Sequence, residues 1–334
     1  MKNKYKKKNI LIKIAYSKSI GSGHFYRCIF LAKELLNQKV NVFICFNKNF
    51  TIKEKNIIKK QKINYLDQNK NFSNLIKIIK KKNIQNLLID DPTFSYKNQL
   101  MIKKHVRNLI LYQDIPSKNY CDVIINHNLI VNGKKIYKSI SMPGTKFFLG
   151  LKNFFLINNK LKYLKKKDEV LIFFGGFANS SLIKKTLKIV SDKLFKGFKF
   201  NLIIGNLSNP NLIKSSNKNI NIIKSTKQSQ FHKKISLSKF ILCSGGTTLI
   251  EAIIFKTFPI VIQTALNQKY NISYLKNKKK IILLGNKNFK SIMLYKILKK
   301  KLLESKFKLN YSRIKYFPKK NNKTLSNKLY ELLN

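Results

Sequence analysis

Short apolar runs of strand length, separated by longer Lys-studded stretches of helical period, recur along the 334-residue chain. Strands buried on both faces read as near-continuous apolar runs, and parallel strands need a crossover between them. The alternation therefore predicts parallel sheets wrapped by helices. Strands are expected at Ile10–Tyr16, Val40–Phe46, Asn86–Asp90, Asn108–Tyr112 and Asp122–Asn126. A second series is expected at Val170–Phe174, Phe200–Ile204, Ile220–Ile223, Phe240–Cys243, Pro259–Ile262 and Ile281–Leu284. The clearest expected helix is His24–Leu36, with Phe25, Cys28, Ile29, Ala32, Leu35 and Leu36 on one face. The polar stretch Asn158–Glu169 (NNKLKYLKKKDE) is the linker candidate. The expected fold is α/β: two Rossmann-like domains facing a cleft, over residues 1–157 and 158–334. No repeat is found, and Asn321–Leu333 reads as a closing helix.

Hydrophobic residues at 44% and aromatics at 12% exclude a wholly disordered chain. Against 13 acids stand 69 Lys and Arg, a formal charge of +56 that by itself suggests nucleic acid or an anionic membrane. Only Arg27, Arg107 and Arg313 are arginine; the rest is Lys, accompanied by abundant Asn and Ile, the residues that A/T-rich codons encode. The Lys residues are spread along the chain, whereas nucleic-acid readers lean on Arg for bidentate contacts. No nucleic-acid partner is expected. Cys28, Cys45, Cys121 and Cys243 have no zinc-type spacing and read as reduced core thiols, so no metal is expected either. The apolar stretch at Ile10–Tyr16 is interrupted by Lys13 and too short for a signal segment. No window approaches the roughly 18–20 apolar residues of a membrane span. A cytoplasmic monomer without a membrane partner is expected.

Ligands of open α/β sheets sit at the carboxyl ends of strands, so the loops after the strands carry the candidate chemistry. Ser19–Arg27 (SIGSGHFYR) joins the first strand to the first helix. Gly21 and Gly23 permit tight turns and a close ligand approach, and His24 stands at the helix N-terminus, whose positive end disfavours imidazolium. Arg27, one turn further, suits either an anionic substrate or a surface salt bridge. Asp90 and Asp91 (LLIDDPTF) end a strand and suit either orienting His24 and binding sugar hydroxyls, or capping a turn before Pro92. Cys243–Glu251 (CSGGTTLIE) runs from strand to helix. Ser244, Gly245, Gly246, Thr247 and Thr248 offer backbone and hydroxyl donors to a diphosphate, and Glu251 on the next turn suits ribose hydroxyls. It is not a Walker A loop. Gly175 and Gly176 (FFGG), with Asn267 and Gln268 (LNQ), complete the set as ligand contacts or plain turns. His105, His127 and His232 read as incidental.

In this order the segments SIGSGHFYR, LLIDD, YQDIPSKNYCDVIINHN, GLKNFFLI, FFGG, CSGGTTLIEA and LNQ resemble a known family. It is the UDP-2,4-diacetamido-2,4,6-trideoxy-β-L-altropyranose hydrolases of pseudaminic acid biosynthesis, relatives of the MurG-like glycosyltransferases. The resemblance runs from about Ile10 to Leu284. It implies a GT-B fold, the sugar near the N-terminal domain (Gly21, Gly23, Arg27, Asp90, Asp91) and UDP on the C-terminal one (Gly175, Gly176, Ser244, Gly245, Gly246, Thr247, Thr248, Glu251, Asn267, Gln268). It implies attack of water on the anomeric carbon with UDP as leaving group and no cofactor. His24 matches the family's catalytic histidine and Glu251 the acid expected at the ribose. Where the family commonly has a DHY-type sequence, this chain has Asp90, Asp91 and Pro92. That departure keeps open a MurG-like glycosyltransferase, with a basic nucleic-acid-binding protein as the more distant alternative.

Overall fold

The structure is a computed structural model describing residues 8–15, 22–46, 52–66, 72–153, 164–176, 180–205, 213, 215–224, 226–303 and 324–333. The chain divides into two units, each built on one sheet in which every strand pairing is parallel. The first unit holds strands β1 (Asn9–Ile14), β2 (Asn41–Phe46), β3 (Asn64–Leu66), β4 (Asn86–Asp90), β5 (Asn108–Tyr112), β6 (Val123–Asn126) and β7 (Lys146–Leu149). Between them run helices α1 (Gly23–Asn37), α2 (Ile52–Lys60), α3 (Phe72–Lys81), α4 (Tyr96–Lys103) and α5 (Gly133–Ile140). The second unit holds β8 (Lys167–Phe173), β9 (Lys199–Ile203), β10 (Ile220–Ile223), β11 (Ser238–Ser244), β12 (Phe258–Gln263) and β13 (Ile282–Asn286). Its helices are α6 (Ser180–Val190), α7 (Gln228–Leu237), α8 (Thr247–Ile254), α9 (Lys269–Asn277) and α10 (Ser291–Leu303). Both units are Rossmann-like, the expected fold class.

The strand orders locate the chemistry. They are β3-β2-β1-β4-β5-β6-β7 and β10-β9-β8-β11-β12-β13, so direction reverses between β1 and β4 in one sheet and between β8 and β11 in the other. At such switch points the loops beyond the carboxyl ends part and leave a crevice for a ligand. On one face of the first sheet, Leu11, Leu87, Ile89, Leu109, Leu111 and Ile124 form a core with Leu75 and Ile79 of α3 and Ile102 of α4. Side chains alternate along a strand, so Asp90 and Tyr112 point to the opposite face, toward α1.

The amino ends of both sheets carry rows of Asn. Asn41 of β2 donates to Asn9 Oδ1 of β1 at 2.9 Å, Asn86 of β4 donates to the Asn9 carbonyl at 3.0 Å, and Asn108 of β5 donates to Asn86 Oδ1 at 2.7 Å. In the second sheet Asn221 of β10 donates to Asn201 Oδ1 of β9 at 3.1 Å, and Asn201 donates to Glu169 Oε2 of β8 at 2.9 Å. Asn9 with Asn41, Asn86 with Asn108, and Asn201 with Asn221 are direct register partners on neighbouring strands, so their amide contacts favour the observed alignment over a slipped one.

Every expected strand is present, but β3 and β7 were not anticipated. Both are short, half-exposed sheet edges without a buried apolar run. Of the linker expected at Asn158–Glu169, residues 158–163 lie outside the described residues, and its end is corrected, because Lys167–Glu169 already belong to β8. The expectation gave all of 158–334 to the second domain, yet the closing helix α11 (Leu325–Leu332) belongs to the first unit. Leu325 and Leu329 are buried there, Lys328 Nζ donates to Asn153 Oδ1 at 2.9 Å, and Asn327 Oδ1 accepts from Gln38 at 2.6 Å. The sequence shows the amphipathic face of such a helix but not the surface that receives it.

Asn86→Ala removes two side-chain hydrogen bonds at a buried position and leaves Asn108 Nδ2 short of an acceptor. The expected loss is about 1–3 kcal/mol, read as a lower urea midpoint at unchanged m-value.

Candidate active site

His24 is the second residue of α1, at the carboxyl end of β1, and Asp90 closes the adjacent β4. Nδ1 of His24 lies 2.6 Å from Asp90 Oδ1. The buried carboxylate can only accept, so an Nδ1–H points at it, with Arg27 Nη2 3.0 Å from the same nitrogen and Nε2 on the far side of the ring. Arg27 and Cys28, one helical turn on, reach the same group. Arg27 Nη2 donates to Asp90 Oδ1 at 2.5 Å and Nε to Oδ2 at 2.6 Å, and the Cys28 thiol donates to Oδ2 at 3.2 Å. Four donors thus occupy the four acceptor positions of one carboxylate.

Asp114, two residues beyond β5 and in phase with Tyr112, supplies a second carboxylate. Its Oδ1 accepts from Arg27 Nη1 at 2.7 Å and its Oδ2 lies 3.6 Å from His24 Nε2. Arg27 stacks on the Tyr112 ring at 3.9 Å, and the Tyr112 hydroxyl meets His127 Nδ1 at 2.8 Å. His127 is therefore part of this buried network rather than incidental. Burial alone pushes the Asp90 carboxyl up, but the Arg27 guanidinium and then His24 outweigh it and hold it well below the usual carboxylate range. Asp114, opposed by burial and favoured by Arg27 and His24, falls to about 2. Burial, reinforced by Arg27, lowers His127 to about 4, and burial with Asp90 keeps the Cys28 thiol protonated.

Arg27 has its guanidinium engaged by two carboxylates and a ring face, so it positions the site instead of waiting at a surface for an anion. Of the two adjacent acids, only Asp90 joins His24. Asp91 points to the other face, pairs with buried Lys13, and accepts from the Thr93 amide at 2.9 Å and its hydroxyl at 2.6 Å. The two readings of the pair are thus divided between its members. Gly23 opens α1, and Gly21 lies outside the described residues.

In the second unit the turn after β11 feeds α8 at the other switch point. Gly246 is the N-cap and provides no side-chain cap, so the first-turn amides of α8 have no such acceptor. Gly245 is required for packing: a Cβ there would lie 2.5 Å from Ile272 Cδ1 and 3.1 Å from Gln268 Cβ. Gln268 is a clamp, its Oε1 accepting from the Gly245 amide at 3.1 Å and the Thr264 amide at 2.9 Å. That contact ties the loops after β11 and β12 together, while Asn267 is half-buried beside it. Gly175 adopts φ +97°, and a Cβ on Gly205 would lie 2.5 Å from Gly176 Cα, so the FFGG turn serves a close passage of two backbones.

Glu251, on the second turn of α8, accepts from His232 Nε2 of α7 at 3.0 Å. His232 is thus a second correction to the incidental histidines. Lys166 Nζ, lowered to about 7 by burial, donates to the Phe255 carbonyl at 2.9 Å and Thr257 Oγ1 at 2.6 Å, and Thr257 donates to the Ile235 carbonyl at 2.5 Å. These contacts fasten the end of α7 to the end of α8. Among the described residues no group of three His, Cys, Asp or Glu is arranged to hold a metal ion, and no helix is long and apolar enough to cross a membrane.

No protein-family model and no curated protein matches the chain. Solved structures do. Arabidopsis thaliana UGT89C1 complexed with UDP superposes with a TM-score of 0.67 at 11% identity, covering 98% of this chain and 99% of that one. Spinosyn forosaminyltransferase SpnP gives 0.66 at 10% identity, covering 98% and 99%, and Acinetobacter baumannii MurG gives 0.59 at 12%, covering 88% and 91%. This chain has the GT-B fold. The sequence reading gave Asp114 no role and took His127 and His232 as incidental, although Asp114 lies in strand phase beyond Tyr112 and carried a readable signal.

Arg27→Met leaves Asp90 and Asp114 without their cation, and the expected cost is about 3–5 kcal/mol in urea unfolding. The pH dependence has a defined sign. His127 has a folded value of about 4 against an ordinary 6.5, so the unfolded chain binds the proton first and stability falls as pH drops from 6.5 to 4. Asp114 contributes stability above its ordinary 3.8, which is lost as pH falls toward its folded value of about 2. Thermal melts across pH 2–7 are expected to show both stages, and His127→Gln to flatten the upper one.

Proposed function

We propose that the chain is a UDP-sugar enzyme in which His24 is the general base for an incoming oxygen nucleophile. The first unit acts on the sugar and the second holds UDP. The observation that carries this reading is the contact of 2.6 Å from His24 Nδ1 to Asp90, which leaves Nε2 to take the proton. The bond from the anomeric carbon to UDP breaks, the bond to the nucleophile forms, and the nucleophile's proton moves to Nε2. The imidazolium so formed lies between Asp90 and Asp114, whose negative charges favour it. In the second unit the Gly245–Thr248 turn meets the diphosphate and Glu251 the ribose. A nucleoside diphosphate is a good leaving group, so no second acid is required, unlike the two-carboxylate glycosidases.

Transfer to an acceptor hydroxyl is the reading that the structural neighbours support, since they include a forosaminyltransferase and a UDP complex on the same fold. Hydrolysis is the second reading. It is favoured by the GxGHxxR and SGGTTLIEA segments, which resemble the altropyranose hydrolases.

The test follows UDP release from UDP-linked diacetamido-trideoxy-altrose and from UDP-N-acetylglucosamine by NMR, with EDTA present, with and without sugar-alcohol acceptors. Acceptor-dependent release indicates transfer, and stoichiometric UDP and free sugar in water alone indicate hydrolysis. His24→Ala is expected to lower turnover by roughly 10²–10⁴ while UDP binding changes little. Retained turnover in that variant removes His24 from the mechanism.

A further inference from the structure

We propose that His232 is a positioning residue that holds Glu251 ready for the two ribose hydroxyls of the nucleotide, so that α7, and not α8 alone, sets selection of ribose over deoxyribose. The inference rests on the reading of Glu251 as the ribose ligand. Both side chains are buried, at 2% and 5% relative exposure, and Nε2 to Oε1 is 3.0 Å. Among the described residues, His232 is the one side chain hydrogen-bonded to the Glu251 carboxylate.

A carboxylate offers about four acceptor positions, and His232 takes one of them. That single bond fixes the rotation of the carboxylate and leaves acceptor capacity for a pair of hydroxyls. The imidazole is itself held in place. Its ring lies 5.3 Å from the Phe255 ring and 6.1 Å from that of Phe231, and the Lys166 and Thr257 contacts fasten α7 to the end of α8. The chemistry of the donor matters too. In a chain whose basic residues are almost all Lys, one of only four histidines stands here. A neutral imidazole donates one hydrogen in the ring plane, whereas an ammonium brings three donors on a flexible stem and a full charge to bury.

The experiment compares dissociation constants for UDP and 2′-deoxy-UDP by calorimetry in the wild type, His232→Leu and His232→Gln. The wild type is expected to prefer UDP by about tenfold or more, the scale of one hydrogen bond to a charged group. His232→Leu is expected to bring the two constants within about threefold of each other, with 2′-deoxy-UDP binding nearly unchanged. His232→Gln, which keeps a donor, is expected to retain most of the preference. An unchanged preference in His232→Leu overturns the proposal, because a pair that only packs the core lowers stability without touching the ratio. A wild type that binds UDP and 2′-deoxy-UDP alike overturns the ribose reading of Glu251 first, and this proposal with it. A second measurement needs no variant. With four histidines in the chain, the ¹⁵N-histidine spectrum is resolvable, and the His232 Nε2 resonance is expected to shift on saturation with UDP and much less with 2′-deoxy-UDP. An equal shift with both ligands, or none, overturns the proposal.

Discussion

The grip of Arg27 on Asp90 is the contact on which the first unit's site depends. A carboxylate at the buried carboxyl end of a central strand is tolerable only when its charge is met, and Arg27 meets it through two parallel hydrogen bonds. The same guanidinium bridges to Asp114 and lies on Tyr112, so one side chain of α1 fastens the helix to β4 and to the segment after β5. His24 inherits its orientation from this arrangement. The imidazole hydrogen-bonds to a carboxylate that is already held by Arg27, so in the proposed role of base it needs no reorganisation when positive charge develops on the ring.

The second unit is held at its strand ends by contacts of a different kind. A Gln side chain joins two loops, a glycine allows α9 to come close, and a histidine steadies the acid on α8. The Gln268 amide and the Gly245 backbone are suited to a site proposed to receive a nucleotide's negative charge, because they orient the loops without adding charge of their own.

Much of the fold was legible because parallel strands buried on both faces produce unmistakable apolar runs, and the first strand-to-helix turn of each series carries glycines. The positions of His24, Asp90 and Glu251 followed from that frame. Their partners did not. Asp114, His127 and His232 enter through the pairing order of strands and the docking of helices, which depend on contacts tens of residues away. Asp90 and Asp91 are the sharpest case: adjacent in sequence, they face opposite sides of one strand end, one toward α1 and the other toward Lys13. Composition hinted at either role for the pair, and only strand parity separates them. The edge strands β3 and β7 went unread because each is only three or four residues long and half-exposed, too short a run to stand out.

The Asn row at the amino end of the first sheet has a consequence for a chain of formal charge +56. Repulsion among so many lysines varies with ionic strength, and a register held by surface ion pairs would drift with it. Amides carry no net charge and do not titrate. Strand alignment, and with it the meeting of His24 with Asp90 at the far end of the same strands, is thereby insulated from the salt of the medium. An amino acid that the coding bias makes abundant serves here as alignment hardware that counter-ions cannot screen.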